Sequence, residues 1–303
     1  MLLPAADSVW CSQGGNFKKV IVLVGTVPYK TDVYTGIARI DEDYLYIEKT
    51  RFNIERGTAA MAASCAQICR FYGLPMPLCI FGGDISDGKG TELMFQNLNL
   101  DIAKYNSEIV TLHYMFPKIA YGEPFVTKIN SLPRKPQLVA DAGGMYLMKT
   151  IKQSQFFDVF TPDEGELLFL ADEYASHPLY VRSELINKIT DKDSLVQSAY
   201  RNGNAAKTII VKGKTDYIYR ERIRVKEYKG PDIPAMEAIG GTGDTITGML
   251  TGLRFGKEED PDYKALVINR LIGKHIKCTP ATQIKEFITA IPIVLEDYER
   301  NNK

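Results

Sequence analysis

Short unbroken apolar runs alternate along this chain with longer stretches in which apolar positions recur every three or four residues. Lys18 to Thr26 reads Lys-Lys-Val-Ile-Val-Leu-Val-Gly-Thr, a β-branched run of the kind that forms a strand buried on both faces. Met76 to Gly83, Gln137 to Asp141, Phe156 to Phe160 and Lys207 to Gly213 share that character, and Ile109 to Met115 is a further strand candidate. Between them, Gly57 to Tyr72 is rich in alanine and closes at Gly73, as helices do. Asp191 to Gly203, Asp262 to Lys277 and Ala281 to Glu299 also predict helices. Tyr34 to Arg51 alternates weakly and predicts a solvent-facing hairpin or lid, and Asp216 to Tyr228 predicts a second hairpin. Strands alternating with helices imply an α/β fold with a mainly parallel sheet covered on both sides. A single domain over residues 1–303 is expected.

One stretch breaks this rhythm. Ile239-Gly240-Gly241-Thr242-Gly243-Asp244 carries three glycines in four residues, which must be a turn, because glycine inside a helix costs about 1 kcal/mol relative to alanine. From Asp244 onward Ile246, Met249, Leu250 and Leu253 mark an amphipathic helix. A glycine turn feeding a helix aims unpaired N–H groups and the positive end of the helix dipole at whatever lies in the turn, which suits an anion. Two roles are open for Asp244: an N-cap, or a general base beside a phosphoryl group. No Gly-Lys-Ser/Thr follows, and the spacing of the dinucleotide fingerprint fails, so neither of those phosphate loops is present.

Other strand ends add candidates. Gly25-Thr26 and Gly82-Gly83-Asp84 end strands where open α/β sheets place ligands. Asp141 ends another, before Gly143-Gly144. Thr161-Pro162-Asp163-Glu164-Gly165-Glu166 reads as a helix start, with Thr161 and Glu164 as a capping box and Pro162 at the first helical position. That leaves Glu166 free, either as a solvated acid or as the organiser of a magnesium-water shell. Lys212-Gly213 ends the last buried strand, with Lys212 either a solvated strand-end lysine or a ligand contact. Met145, Tyr146 and the glycines at 82, 83, 143 and 144 are candidates for a roomy apolar wall.

Composition narrows the classes. Lys+Arg and Asp+Glu are equal at 37 each, with no basic block, which disfavours nucleic acid and anionic membranes as partners. No apolar run reaches the ~18 residues of a membrane span, and Met1 to Gly15 lacks the build of a secretion signal, so a cytoplasmic protein is expected. Cys11, Cys65, Cys69, Cys79 and Cys278 show no metal spacing, and Cys65 and Cys69 are expected to be buried and apolar. His113, His177 and His275 are scattered, and spacing alone proposes no triad and no zinc site.

Ala140-Asp141-Ala142-Gly143, Thr161 to Glu166, Val211-Lys212-Gly213 and Gly241-Thr242-Gly243-Asp244-Thr245-Ile246-Thr247-Gly248, in that order, resemble the ribokinase-like superfamily, and within it the NAD(P)H-hydrate dehydratase branch. The resemblance runs from about Gln137 to Val294. It implies a three-layer α/β/α sandwich, ATP or ADP with Mg2+ as cofactors, and Asp244 as catalytic base. It also implies Gly241, Thr242 and Gly243 as an anion hole, and Lys212, Gly213, Lys214, Thr215 and Asp216 with Gly243 as nucleotide contacts. Gly25, Thr26, Gly83, Asp84, Asp141 and Asp163 would face the substrate, and Glu166 would hold the metal through water. Four positions depart from the patterns. Asp163 and Glu164 stand where the dehydratases have histidine and proline, Gly143 replaces an aspartate, and Ala238 replaces the first aspartate of the sugar-kinase motif.

The resemblance implies phosphoryl transfer to a hydroxyl, with hydrated NAD(P)H as the leading substrate and a sugar as the alternative. A nucleotide-binding regulator without activity is the third reading, opposed by the intact Gly241, Gly243 and Asp244. The partners expected are a small-molecule substrate and, at most, further copies of the chain.

Overall fold

A computed structural model describes residues 19–302; Cys11 and the reading of Met1 to Gly15 lie outside them. Among the described residues eleven strands form one sheet. Its centre is six parallel strands, β1 (Val20–Val27), β5 (Leu78–Gly83), β6 (Ser107–Leu112), β7 (Gln137–Ala140), β8 (Val159–Phe160) and β9 (Thr208–Val211), in the order β5-β1-β6-β7-β8-β9. Antiparallel strands extend both edges. β2 (Val33–Asp41) pairs with β5 and continues into β3 (Tyr44–Ile47) and β4 (Thr50–Asn53), while β10 (Asp216–Arg220) and β11 (Ile223–Tyr228) follow β9. The expected hairpin at 34–51 is therefore part of the main sheet, because β2 supplies the hydrogen bonds that the edge of β5 would lack.

Among the described residues ten α-helices cover the two faces: α1 (Thr58–Phe71), α2 (Lys89–Asp101), α3 (Ile119–Ser131), α4 (Gly143–Thr150), α5 (Glu164–Ala171), α6 (Ser183–Ile186), α7 (Lys192–Arg201), α8 (Thr242–Gly256), α9 (Pro261–His275) and α10 (Ile284–Asn301). The continuous apolar runs are explained by the layers. Ile21 and Leu23 of β1 point into a core shared with α1, α8, α9 and α10. Val20, Val22 and Val24 point into a second core shared with α2, α3, α4, α5 and α7. This is the expected three-layer arrangement. Cys65, Cys69 and Cys79 are buried. Among the described residues no helix is long and apolar enough to cross a membrane.

The pair α1 and α8 positions the site. Gly248 lies against Met61 and Ser64, and one turn on, Gly252 lies against Cys65 and Ile68. Contacts that advance together along both helices mean the two run parallel, and glycine at every fourth position lets their backbones approach closely. Both amino ends consequently open at the same edge of the sheet, beyond the carboxyl ends of the parallel strands.

Candidate active site

The glycine turn ends at Gly241, whose φ of 105° is a left-handed conformation that favours glycine and which serves as N-cap of α8. Asp244 is therefore the third helical residue, so the N-cap role is corrected. The first N–H bonded inside the helix is that of Thr245, to the Gly241 carbonyl at 2.9 Å. Those of Thr242, Gly243 and Asp244 belong to the open first turn.

Asp244 is largely buried. Gly57, the N-cap of α1, donates its N–H to Asp244 Oδ2 at 2.5 Å. Asp244 Oδ1 lies 3.1 Å from Nε2 of His113, a residue just past the end of β6 and fully buried. On its other side His113 Nε2 is 3.6 Å from Asp141 Oδ2. Burial works against charge on this ring, but the two carboxylates push its pKa up to about 9.

Asp141 is more deeply held. Lys212 Nζ donates to both of its oxygens at 2.9 and 3.0 Å, Thr247 Oγ1 donates at 2.6 Å, and the Ala142 N–H donates at 2.9 Å. Burial opposes its ionisation, yet the Lys212 and His113 charges hold it well below the usual carboxylate range. Lys212 is largely buried, so the solvated strand-end alternative is corrected. Burial would lower its pKa, but Asp141 and Glu166 raise it. An added Cβ on Gly243 would lie 3.3 Å from Lys212 Nζ, which places the ammonium beside the first turn of α8.

The helix start after β8 is offset by two residues from the expected one. Asp163 is the N-cap of α5, and its Oδ1 accepts from the Glu166 N–H at 2.7 Å while Glu166 Oε2 accepts from the Asp163 N–H at 2.9 Å. The Thr161 hydroxyl is turned to that of Thr247, 2.9 Å away. Glu164 pairs with Lys192 instead. Glu166 also accepts from the Tyr146 hydroxyl at 2.7 Å. Burial and the nearby Asp141 charge, only partly offset by Lys212, push its carboxyl up to about 7.

A cleft of about 590 Å³ opens between the Lys212–Asp216 turn, the starts of α5 and α8, and the Asp232–Glu237 segment, with His113 buried behind it. Thr242, Gly243, Asp244, Asp141, Asp163 and Glu166 all line it. So do Lys212, Gly213, Lys214 and Asp216, whereas Thr215 does not. Asp216 serves the turn from behind. Its Oδ1 accepts from the Gly213 N–H at 3.0 Å and its Oδ2 pairs with Arg270 of α9, which also donates to the Gly213 and Lys214 carbonyls. Lys214 pairs with Asp232 at 3.2 Å in solvent.

The other substrate-side candidates stand outside the cleft. Gly25 backs onto Thr58 and His113, and Thr26 Oγ1 donates to the Tyr114 carbonyl at 3.2 Å. Asp84 spends its oxygens on its own loop, accepting from the N–H groups of Ser86, Asp87, Gly88 and Thr91. Gly83 packs against Lys30 and Gly90 backbone, Gly82 against Gly90, Gly143 against Met115 and Gly144 against Leu112. These glycines close up backbone rather than leaving room, and Met145 is buried in the core, so the expected apolar wall is corrected.

His113, Asp141 and Asp244 offer three donor atoms within 4.8 Å of one another. Lys212 already supplies a cation to both oxygens of Asp141, which leaves that cluster poorly suited to a divalent ion. Glu166 suits one better. Each of its oxygens has accepted one hydrogen bond and retains acceptor capacity toward the cleft, which fits a magnesium ion reached through water.

Comparison with known proteins bears on this geometry. A family model described as NAD(P)H-hydrate dehydratase matches residues 120–285. An uncharacterized protein of Methanocaldococcus jannaschii is 40% identical over 219 residues, 71% of this chain and 89% of its own. The ribokinase of Cryptococcus neoformans var. grubii, solved in complex with ADP, is similar with a TM-score of 0.51 and 14% identity over 92% of this chain and 99% of its own. The Arabidopsis thaliana ribokinase, solved with ribose and ATP, gives 0.47 and 16% over 90% and 98%. At such identities the likeness to solved structures is one of fold.

Proposed function

The chain belongs to the NAD(P)H-hydrate dehydratase family, and from that premise we propose that it transfers a phosphoryl group from ATP or ADP to a hydroxyl of hydrated NADH or NADPH. The observation that carries this reading is the placement of Asp244: a pinned carboxylate in the open first turn of α8, at the wall of the cleft, with the Lys212 ammonium beside the same turn. A base and an anion-holding turn side by side are what phosphoryl transfer requires.

The donor nucleotide lies along the Lys212–Asp216 turn, which Arg270 and Asp216 hold rigid, with its terminal phosphate at the N–H groups of Thr242 and Gly243. The substrate hydroxyl gives its proton to Asp244 as its oxygen bonds the terminal phosphorus. The bridging P–O bond breaks, and its electron pair leaves with ADP, or with AMP when ADP is the donor. In the hydrated dinucleotide the new phosphate then departs with the C–O electron pair while the neighbouring ring carbon loses a proton, restoring the reduced nicotinamide. Magnesium held through water at Glu166 would neutralise phosphate charge. Asp141 and Asp163 face the same cleft and are proposed as substrate contacts.

Thermal stability with ligands tests the substrate class, since a ligand that binds the native state raises the melting temperature by mass action. NADH or NADPH, alone or with ADP or ATP, should protect the protein more than any monosaccharide. Strong protection by a monosaccharide with ATP and none by reduced dinucleotides would favour a sugar kinase.

A further inference from the structure

The reaction as written gives no task to His113, although it is the ionisable group nearest the reacting carboxylate. Its ring is fully buried and meets Tyr114 edge-on, with centroids 4.8 Å apart. Its Nδ1 lies 3.4 Å from Thr58 Oγ1 at the start of α1. Its Nε2 stands between two carboxylates, at 3.1 Å from Asp244 and 3.6 Å from Asp141, without a well-aligned hydrogen bond to either. The Thr58 hydroxyl can accept from an Nδ1–H or donate to a bare Nδ1, so the charge of the ring is decided at Nε2, which two carboxylates face and which an imidazolium answers with positive charge.

We propose that His113 is a positioning residue for Asp244: an imidazolium wedged between the two acids, fixing the direction of Asp244 Oδ1 while the Gly57 N–H fixes Oδ2. The role follows from charge counting. Lys212, Asp141, His113 and Asp244 form a row of alternating sign whose sum is zero. With a neutral ring the row would carry one net negative charge at the place where an anionic phosphoryl group must arrive. With the imidazolium it is neutral before transfer, and becomes positive once Asp244 takes the hydroxyl proton, as charge spreads over the phosphoryl oxygens. The groups facing the ring are Asp244 of α8, Asp141 after β7, the Thr58 hydroxyl of α1 and the Tyr114 ring; Lys212 acts on it through Asp141. Those acids hold it protonated up to about pH 9.

The catalytic role rests on the phosphoryl-transfer reading, whereas the charge state does not, and two measurements separate them. In the full-length protein labelled with 15N-histidine, the His113 signal, assigned by its loss in His113→Gln, should show a doubly protonated ring at about pH 8. In Asp244→Asn it should lose that proton at a lower pH. A neutral ring at about pH 7.5, or no change in Asp244→Asn, overturns the pairing. In the hydrate assay His113→Gln should lose about 10–100-fold in kcat, the range for a residue that orients a reacting ligand, with the nucleotide KM within about twofold. The fall in wild-type kcat above about pH 9 should be missing from the variant. Wild-type kcat and pH profile in a folded His113→Gln would overturn the role. If that variant does not fold, wild type against Asp244→Asn decides. A charged ring in a protein that phosphorylates neither substrate class would refute phosphoryl transfer, and with it the catalytic role, and leave the pairing standing.

Discussion

Replacing Gly248 by alanine inverts an ordinary expectation. In an exposed helix interior this change stabilises by about 1 kcal/mol. At Gly248 the added Cβ would fall 2.9 Å from the Met61 carbonyl carbon, and closer still to the Met61 oxygen and the Ser64 hydroxyl. Ordinary carbon contacts lie at about 3.5–4.0 Å, so α1 and α8 must part by roughly 1 Å. Overpacking of that kind costs about 1–3 kcal/mol, enough to outweigh the helical gain. Less the helical gain, the net loss is up to about 2 kcal/mol, a melting point lower by up to about 4–8 °C at the rate for large domains. The same parting stretches the 2.5 Å bond from the Gly57 N–H to Asp244 toward its limit, and a misplacement of about 1 Å at a reacting group costs roughly 100-fold in rate. Urea unfolding, melting and hydrate turnover would be compared with Gly230→Ala, whose Cβ meets nothing within 4 Å. Gly230→Ala should stay within about 0.5 kcal/mol of wild type. A Gly248→Ala protein as stable and as active as wild type would refute the claim that close approach of these helices positions the carboxylate.

Lys212→Met leaves the buried Asp141 without its bonded ammonium and should cost about 3–5 kcal/mol in urea unfolding, most of it recovered by adding Asp141→Leu; a double variant no better than the single would contradict this. Gly243→Val crowds Lys212 Nζ and blocks the turn, so calorimetric titration should find ATP binding lost with the fold retained, and a normal affinity would move the phosphate site elsewhere. Glu166 holds its proton to about pH 7 in the folded state, against about 4.3 unfolded. The unfolded chain thus releases that proton first, and stability should decline as pH rises from about 4.5 through 7. Glu166→Gln should flatten this part of the profile of urea midpoint against pH, and an unchanged slope would contradict it.

The layers and the glycine turn were legible because each left a local signature: the unbroken apolar run of β1, whose alternate residues enter the two cores, and glycines placed where φ turns positive at Gly241. The helix start after β8 was legible only to within two residues. Thr161 to Glu164 and Asp163 to Glu166 both satisfy the capping-box spacing, and in the structure Asp163 caps α5 while the Thr161 hydroxyl meets Thr247 of another helix. His113 and Arg270 escaped for a related reason. Their partners come from distant segments, so no spacing could reveal a histidine between Asp141 and Asp244 or an arginine stitching the Gly213 turn. The glycines at 82, 83, 143 and 144 were visible but misread. Glycine signals close approach, and only the structure tells whether a ligand or the chain's own backbone does the approaching. The repeat of Gly248 and Gly252 was the signal available for the α1–α8 contact.

The most direct test of the central claim is nucleotide-dependent repair of hydrated NADH, followed by the return of reduced-nicotinamide absorbance and by phosphate release, in wild type and in Asp244→Asn. Asparagine keeps the shape of the side chain and cannot take the hydroxyl proton. Wild type should regenerate NADH with one phosphate released per turnover in the presence of ATP or ADP and magnesium, and Asp244→Asn should be slower by about 100-fold or more with nucleotide affinity retained. Regeneration at the wild-type rate by Asp244→Asn, or none by wild type with either nucleotide, would contradict the account.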